Sequence, residues 1–549
     1  MKIPVIDIFA GPGGLGEGFS NVPSANRRVF DIKLSIEMDD NAHKTLELRS
    51  FYRQFAAKNV PAEYYRVMME KDTDQRELLK EKLFERFPKQ AGKAKNEAWK
   101  ATLGKVPPEN VDKRIQKVLK GRKDWVLIGG PPCQAYSLVG RSRRQWKDNL
   151  DNEDPRVHLY KEYLRIIAKH DPAVFVMENV KGLLSSKLDG AKIFDLIKRD
   201  LRDPSTVFPE SKHKYRIYSL TTEPIDFEDG QPIYENDTDY LIRSEDYGIP
   251  QKRHRVILLG IREDVKVEPD TLTIADEPVT LSDVIGDLPK IRSGINRSFK
   301  TSKIVNGKKK RIYKNEVDSD QHWKELINTF RKEIISWNGF AKNYSSKQIA
   351  VPGKGIGAEF VKCNSPSKAN PLYSWYYDPN LKGVAHHESR SHLIQDLKRY
   401  MFSSMFTKTY ERFPRLNEYE KHSVELLPDH ENAKSGKFAD RFRVQLPDQP
   451  ATTVTSHISK DGHYFIHYDA DQCRSLTVRE AARIQTFPDN YLFCGSRTAL
   501  FHQVGNAVPP LLANQIAEIV YDLFVKIKIG YKSKKIAIMD SNLIPLIHE

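Results

Sequence analysis

The chain has 549 residues, room for two or more domains at about 100–200 residues each, and a formal charge of +15. Its mean hydropathy is −0.58 and no run approaches the ~18 consecutive apolar residues of a membrane span, which argues against an integral membrane protein. Four widely spaced cysteines (Cys133, Cys363, Cys473, Cys494) suggest neither a disulfide framework nor a zinc site, and the excess of cations points to a polyanionic partner.

Met1-Lys2-Ile3-Pro4-Val5 runs directly into a strand-like pattern, without the apolar stretch and cleavage site of a signal peptide, so a cytoplasmic, reducing setting is expected. Val5-Ile6-Asp7-Ile8-Phe9 reads as a first buried strand, followed by Ala10-Gly11-Pro12-Gly13-Gly14-Leu15-Gly16. Gly11, Gly13 and Gly16 satisfy G-x-G-x-x-G after a strand, a pattern shared by dinucleotide enzymes and other nucleoside-cofactor enzymes. A second strand, Leu34-Ser35-Ile36, ends in Glu37 about twenty residues past the glycines, where a carboxylate can accept ribose hydroxyl protons. From residue 43 to about 120, charged residues alternate with apolar ones at helical spacing, as in Glu77-Leu78-Leu79-Lys80. This predicts helices inserted between the second and fourth strands with a solvated surface.

Trp125-Val126-Leu127-Ile128 fits a short buried strand that stops at Gly129-Gly130. Pro131 and Pro132 then fix φ, which places Cys133 on a stiff loop at a strand end, where open α/β sheets bind ligands. A cysteine held there is a candidate nucleophile. The polar stretch from Arg141 to Arg156 reads as a mobile loop. A helix over His158–His170, a strand Ala173–Met177 ending in Glu178-Asn179-Val180, a helix Ala191–Arg202 and the strands Tyr215–Leu220 and Val256–Gly260 continue a β–α alternation, predicting a doubly wound α/β sheet.

Between Glu263 and Gln472 that alternation is absent. Arg297, Lys300, Lys303, Lys308, Lys309, Lys310, Arg311 and Lys314 follow one another with no acidic residue between them, and Tyr373, Trp375, Tyr376 and Tyr377 lie in the same region. Cations near aromatics suit phosphate contact plus base or sugar contact, so a separate nucleic-acid-reading domain is expected. After Arg474 a Thr477–Glu480 capping box opens a helix, and Gln503-Val504-Gly505-Asn506-Ala507-Val508-Pro509-Pro510 precedes a final amphipathic helix from Leu511.

Asp-x-Phe-Ala-Gly-x-Gly-Gly at 7–14, Gly-Gly-Pro-Pro-Cys-Gln at 129–134, Glu178-Asn179-Val180, Gln251-x-Arg253-x-Arg255, the Arg474–Asp489 block and Gly505-Asn506 closely resemble the cytosine-C5 DNA methyltransferases, in that family's linear order. The resemblance covers roughly residues 1–20, 125–182, 246–262 and 474–515. It implies a Rossmann-like, S-adenosylmethionine-dependent catalytic domain over 1–270, with a helical insertion at 43–120. A separate irregular target recognition domain would follow over 271–472, with a return to the catalytic domain over 473–549.

By the same resemblance Cys133 is the nucleophile, Glu178 the partner of cytosine N3, and Arg255 the contact to the base carbonyl. Arg253 contacts substrate or orders the loop, and Ser137 binds a substrate phosphate. Phe9, Gly11, Gly13, Gly14, Glu37, Pro132, Asn506 and Val508 line the S-adenosylmethionine pocket, and no metal is implied. The loop after Cys133 closes over the substrate. An adenine-contacting motif belongs in the interval around 103–115, where no clear match stands. The implied partners are double-stranded DNA and a cognate restriction endonuclease, with the enzyme acting as a monomer on DNA in the nucleoid. A tRNA cytosine methyltransferase on the same scaffold and a catalytically inactive DNA-binding regulator remain as alternatives, while a nicotinamide oxidoreductase explains only the first forty residues. The recognition sequence does not transfer by resemblance.

Overall fold

A computed structural model describes residues 2–24, 27–132, 155–188, 191–306, 308–337, 339–340, 344, 347–364, 366–428, 442–460 and 462–541. Eight strands form the central sheet: β1 (Ile3–Ile8), β2 (Phe30–Glu37), β3 (Ala98–Lys100), β4 (Val126–Gly129), β5 (Val174–Val180), β6 (Tyr215–Tyr218), β7 (Leu241–Arg243) and β8 (His254–Arg262). Their order is β6-β8-β5-β4-β1-β2-β3, with β7 paired to β8 alongside β6. β3, β2, β1, β4 and β5 are mutually parallel, and β8 enters antiparallel to β5. The strand order reverses between β1 and β4, so the chain leaves their C-terminal ends in opposite directions and opens a crevice there. β3 is an edge strand inside the stretch expected to be helical only.

Helices cover both faces, as a parallel sheet requires. On one face α1 (Gly14–Ser20) packs beside the C-terminal helix Pro510–Ser541, whose Leu512, Ile516, Val520 and Phe524 are buried against Ile3, Val5, Val126, Ile257 and Leu259. Each such side chain contributes roughly 1.5–3 kcal/mol on burial. The opposite face is covered by Val111 and Ile115 of helix Pro108–Leu119, Tyr163 and Ile167 of helix Pro155–His170, and Phe194 and Ile197 of helix Ile193–Arg202.

The insertion departs from the expected solvated surface. It contains α2 (Asp40–Arg53), α3 (Ala62–Met69), α4 (Thr73–Arg86) and α5 (Pro88–Glu97). Leu48, Phe51, Tyr64, Met68, Leu83 and Ala94 from these helices share a core with Phe360, Leu381, Ala385, Leu492 and Cys494. The apolar positions at helical spacing are a buried seam whose partners lie hundreds of residues downstream.

Residues between 294 and 473 are more regular than expected. β9 (Arg297–Val305) and β10 (Lys308–Asn315) make an antiparallel hairpin, and α6 (Asp320–Ser336) packs on α7 (Ile394–Tyr410) through Trp323, Ile327, Ile334, Leu397, Met401 and Met405. Nearly every residue of α7 from Asp396 to Thr407 is buried, so no apolar stripe marks it in the sequence. Two aromatics expected to serve a nucleic acid are instead structural. Tyr376 is fully buried and donates its hydroxyl to Arg483 O at 2.6 Å, and Trp375 donates its indole N–H to Thr486 O at 2.7 Å. No helix among the described residues is long and apolar enough to cross a membrane.

Candidate active site

A cavity of about 570 Å3 opens at the C-terminal ends of β1, β2, β4 and β5. Phe9, Gly11, Glu37, Pro132, Glu178, Arg253, Arg255 and Asn506 all line it, which brings residues from separated stretches of the chain onto one surface. Gly13, Gly14 and Val508 are not on its wall. They stand behind it, where Gly14 meets the Val508 carbonyl and Gly13, at φ 94°, faces Leu46 and Tyr491. Cys133 and Ser137, and the loop from Arg141 onward, lie outside the described residues; Pro132, the last described residue before Cys133, is on the cavity wall.

Phe9 leaves β1 in the left-handed region at φ 56°, a strained conformation for a residue with a side chain, typically about 1–3 kcal/mol, and turns the chain toward the cavity. Gly11 N then donates to Glu37 Oε2 at 2.7 Å, and Met38 N and Asp39 N donate to Glu37 Oε1, each at 2.8 Å. Burial raises the Glu37 carboxyl's pKa, against the pull of these three N–H donors. Oε1 already accepts two donors, whereas Oε2 accepts one and keeps lone-pair capacity for a further donor from the cavity.

Glu178 and Arg255 meet across the β5–β8 pairing. Glu178 stands opposite Ile257 and Arg255 opposite Val180, so the two are diagonal neighbours on one sheet face, with Arg255 Nε 2.7 Å from Glu178 Oε1. Gly130 makes room for this pair, because a Cβ there would lie 2.8 Å from Glu178 Oε2. Next to it, Asn179 is buried and donates to Pro131 O at 3.3 Å, which ties the strand end to the loop that leads to Cys133.

Arg253 is 1% exposed and donates to Val454 O at 2.9 Å and Gly505 O at 3.2 Å. Burial pulls its pKa well below the usual guanidinium value, with the nearby Arg255 charge adding to the effect. It therefore ties two backbone segments together at the cavity wall. Gln251, also fully buried, donates to Ile484 O and Gln485 Oε1 and accepts from Val454 N, and Gln485 donates to Val504 O at 2.6 Å. The Thr477–Glu480 capping box is formed, and it starts α8 (Val478–Ile484) beneath this network.

Several wall residues carry no signal that sequence reasoning picks out. Thr498, His502 and Gln503 lie on one face of α9 (Arg497–Asn506), the same face as Asn506, a relation that helical spacing could have supplied. Met38, at 60% exposure, and Ala101 and Leu103 give the cavity an apolar side; Leu103 falls in the interval where an adenine-contacting motif is expected and no clear match stands. Among the described residues no cluster of His, Cys, Asp or Glu is arranged to hold a metal ion.

A doubly wound sheet with one antiparallel strand, and a ligand cavity where its strand order reverses, is the architecture of a Rossmann-like methyltransferase. The sequence model of the C-5 cytosine-specific DNA methylases matches residues 88–204 and 227–521, and the chain belongs to that family. It is similar to the type II methyltransferase M.Bpa9945I of Bacillus paralicheniformis, 32% identical over 537 residues, 94% of this chain and 98% of that one. It is also similar to the type II methyltransferase M.DdeI of Desulfomicrobium norvegicum, 25% identical over 407 residues and 71% of each chain. The solved structure of the Entamoeba histolytica methyltransferase EhMeth aligns over 95% of this chain and 98% of that one, with 13% identity and a TM-score of 0.41.

Proposed function

We propose that this chain is a DNA cytosine-C5 methyltransferase of a restriction–modification system, acting on a cytosine flipped out of duplex DNA, with Cys133 as nucleophile and S-adenosylmethionine as methyl donor. The observation that carries the reading is the Glu178–Arg255 pair, 2.7 Å apart, on the wall of the same cavity as Phe9, Gly11, Glu37 and Pro132.

The cavity's groups suit the donor. Its volume is in the range of nucleoside-sized sites, Glu37 offers a carboxylate for ribose hydroxyls, and Met38, Ala101 and Leu103 offer an apolar flank for adenine. Bound there, S-adenosylmethionine supplies an electrophilic methyl group.

The rest falls to the protein. C5 of cytosine is a weak nucleophile, and addition of a thiolate at C6 moves an electron pair toward C5 and activates it. The thiolate is regenerated when the C5 proton passes to a water molecule and the electron pair it leaves breaks the C6–S bond. Glu178 holds N3 while charge develops on the ring, and Arg255 holds both the Glu178 carboxylate and the base carbonyl. The other three cysteines are poor candidates: burial pushes the Cys363 thiol up to about 11 and holds Cys473 and Cys494 above the ordinary thiol value.

Transfer of labelled methyl groups to duplex DNA and to tRNA tests the reading, with bisulfite sequencing to map the modified cytosine. Label in the duplex that is abolished by Cys133→Ser supports it. Label in tRNA alone makes the chain an RNA enzyme, and no label with retained DNA binding makes it a regulator.

A further inference from the structure

The hairpin β9–β10 plays no part in the cavity, yet it concentrates the chain's longest basic run. Its strands pair from Arg297 opposite Asn315 to Val305 opposite Lys308, and Asn306 in the connection has φ 50°, as a tight two-residue turn demands. The root is fastened to the protein. Phe299 N donates to Gln395 Oε1 at 3.2 Å, Ser298 donates to Glu316 Oε1 at 2.6 Å, and Arg297 lies over the Tyr313 ring at 4.4 Å. Just before the root, Gly294-Ile295 pairs with Ser391-His392, and the adjoining Arg390 packs over Phe501 of α9, the helix that lines the cavity.

Farther out, Lys300, Lys303, Asn306 and Lys310 are exposed, and Ile304 is 80% exposed. Lys303 stands directly opposite Lys310, an arrangement of like charges that weakens a hairpin. Neither lysine, nor Lys300, has an ion-pair partner among the described residues. Such a ribbon is a poor solvent-facing element by itself and a good one against a polyanion. At ~3.4 Å per residue its eight-residue strand is roughly 27 Å long, and a two-stranded ribbon fits the major groove of B-form DNA. The deep, narrow major groove of A-form RNA does not admit one.

We infer that the β9–β10 ribbon docks in the major groove of the substrate duplex, with Lys300, Lys303 and Lys310 against phosphates and Ile304 against base edges. This rests on the reading of duplex DNA as substrate. It adds to that reading the element by which the 294–473 region grips the DNA.

The test uses the full chain carrying Lys300→Ala, Lys303→Ala and Lys310→Ala together, titrated at several salt concentrations against a duplex with the mapped methylation site and one without it. The log–log salt slope should fall by about one for each phosphate no longer neutralised, and both duplexes should weaken alike, with S-adenosylmethionine affinity unchanged. Lys303→Glu guards against a folding artefact. It pairs with Lys310, so melting temperature should hold or rise while DNA affinity still falls. Ile304→Ser should weaken only the site-containing duplex, by about tenfold, with the slope unchanged. An unchanged slope and affinity in the triple variant overturns the inference and leaves wild-type methyl transfer to DNA standing. Loss of structured-RNA binding with duplex binding retained also overturns it. A wild-type chain that neither binds nor methylates duplex DNA overturns the functional reading, and the ribbon's role with it.

Discussion

The carbonyl oxygen of Val508 occupies the space where a side chain at Gly14 would begin: a Cβ there would lie 2.2 Å from it. The glycine loop at one end of the chain and the Gly505–Pro510 turn near the other thus close on each other backbone to backbone. Gly18 repeats the approach one turn later, where a Cβ would lie 2.5 Å from the Ala513 Cβ. Gly14→Ala should push the C-terminal helix off α1. The expected cost is about 1–3 kcal/mol of stability from overpacking, together with a drop in cofactor affinity of at least tenfold. Thermal melts and calorimetric titration with S-adenosylmethionine check this; near-wild-type values for both would mean the carbonyl can retreat and that Gly14 is not a packing requirement.

Glu178→Gln separates binding from chemistry. The amide keeps the shape beside Gly130 but loses the charge that faces Arg255 and the acid function needed at N3. A positioned acid contributes on the order of 10²–10⁴ in rate, so kcat should fall by that factor with cofactor affinity nearly unchanged. Turnover within tenfold of wild type, measured with both substrates saturating, would remove Glu178 from the chemistry.

The parts of the site legible in the sequence are those fixed by local backbone geometry. A strand end followed by glycines, Glu37 at the next strand end, and Pro131-Pro132 before Cys133 each announce a position on an α/β sheet without reference to distant contacts. What stays hidden depends on partners remote in sequence. The insertion's seam at Phe51, Tyr64 and Met68 is meaningful only once Phe360 and Leu492 cover it. Helix α7 shows no stripe because it is buried on nearly all sides. The hairpin shows in the sequence only as a charge run, since the consecutive cations Lys308 to Arg311 mask the alternation of its second strand, although Asn306-Gly307 is a strong turn signal.

Two buried groups set opposite pH trends in stability. His387 donates from Nε2 to Pro289 O at 2.8 Å and accepts from the Thr477 hydroxyl at Nδ1, and burial pushes its pKa down to about 4. The unfolded chain therefore binds more protons than the folded one between about pH 6.5 and 4, and stability is lost as pH falls through that window. Asp7 is fully buried, and burial pushes its carboxyl up to about 8. Here the folded state holds the extra proton, so stability is lost as pH rises from about 4 to 8. Each group contributes at most ~1.4 kcal/mol per pH unit. Urea melts at about pH 5, 6, 7 and 8 should show Asp7→Asn gaining on wild type as pH rises and His387→Asn gaining as pH falls. Parallel curves for wild type and both variants would mean these groups titrate alike in the folded and unfolded chains.

The last prediction concerns where a specificity-changing exchange must be cut. A swap of residues 271–472 as one block divides a shared core, in which Val279, Leu281, Val361, Tyr376, Val384, Ala451 and Val454 pack with Phe487, Tyr491 and Phe501. It also severs buried polar ties, since Arg479 donates to Ala385 O at 2.9 Å and Tyr376 donates to Arg483 O at 2.6 Å. By contrast Ile295, Trp323, Ile327, Ile349, Leu397, Met401, Leu426 and Phe442 belong to a second cluster, which only Val444, Ile466, Ala470 and Cys473 join from outside the segments 295–349 and 394–442 among its buried members. Exchange of the two segments 295–349 and 394–442 with those of a relative of different specificity, keeping 357–390 native, should therefore preserve the fold. Its melting temperature and cofactor affinity should match the parent's, and bisulfite sequencing should report a different methylated motif. The single-block chimera should be the less stable of the two, because it cuts the shared core and takes from the buried Arg479 Nε its Ala385 O acceptor, a loss of about 1–3 kcal/mol by itself. A stable two-segment chimera that still methylates the parental motif would locate recognition in the retained 357–390 stretch or in the catalytic region, and would refute this division of the chain.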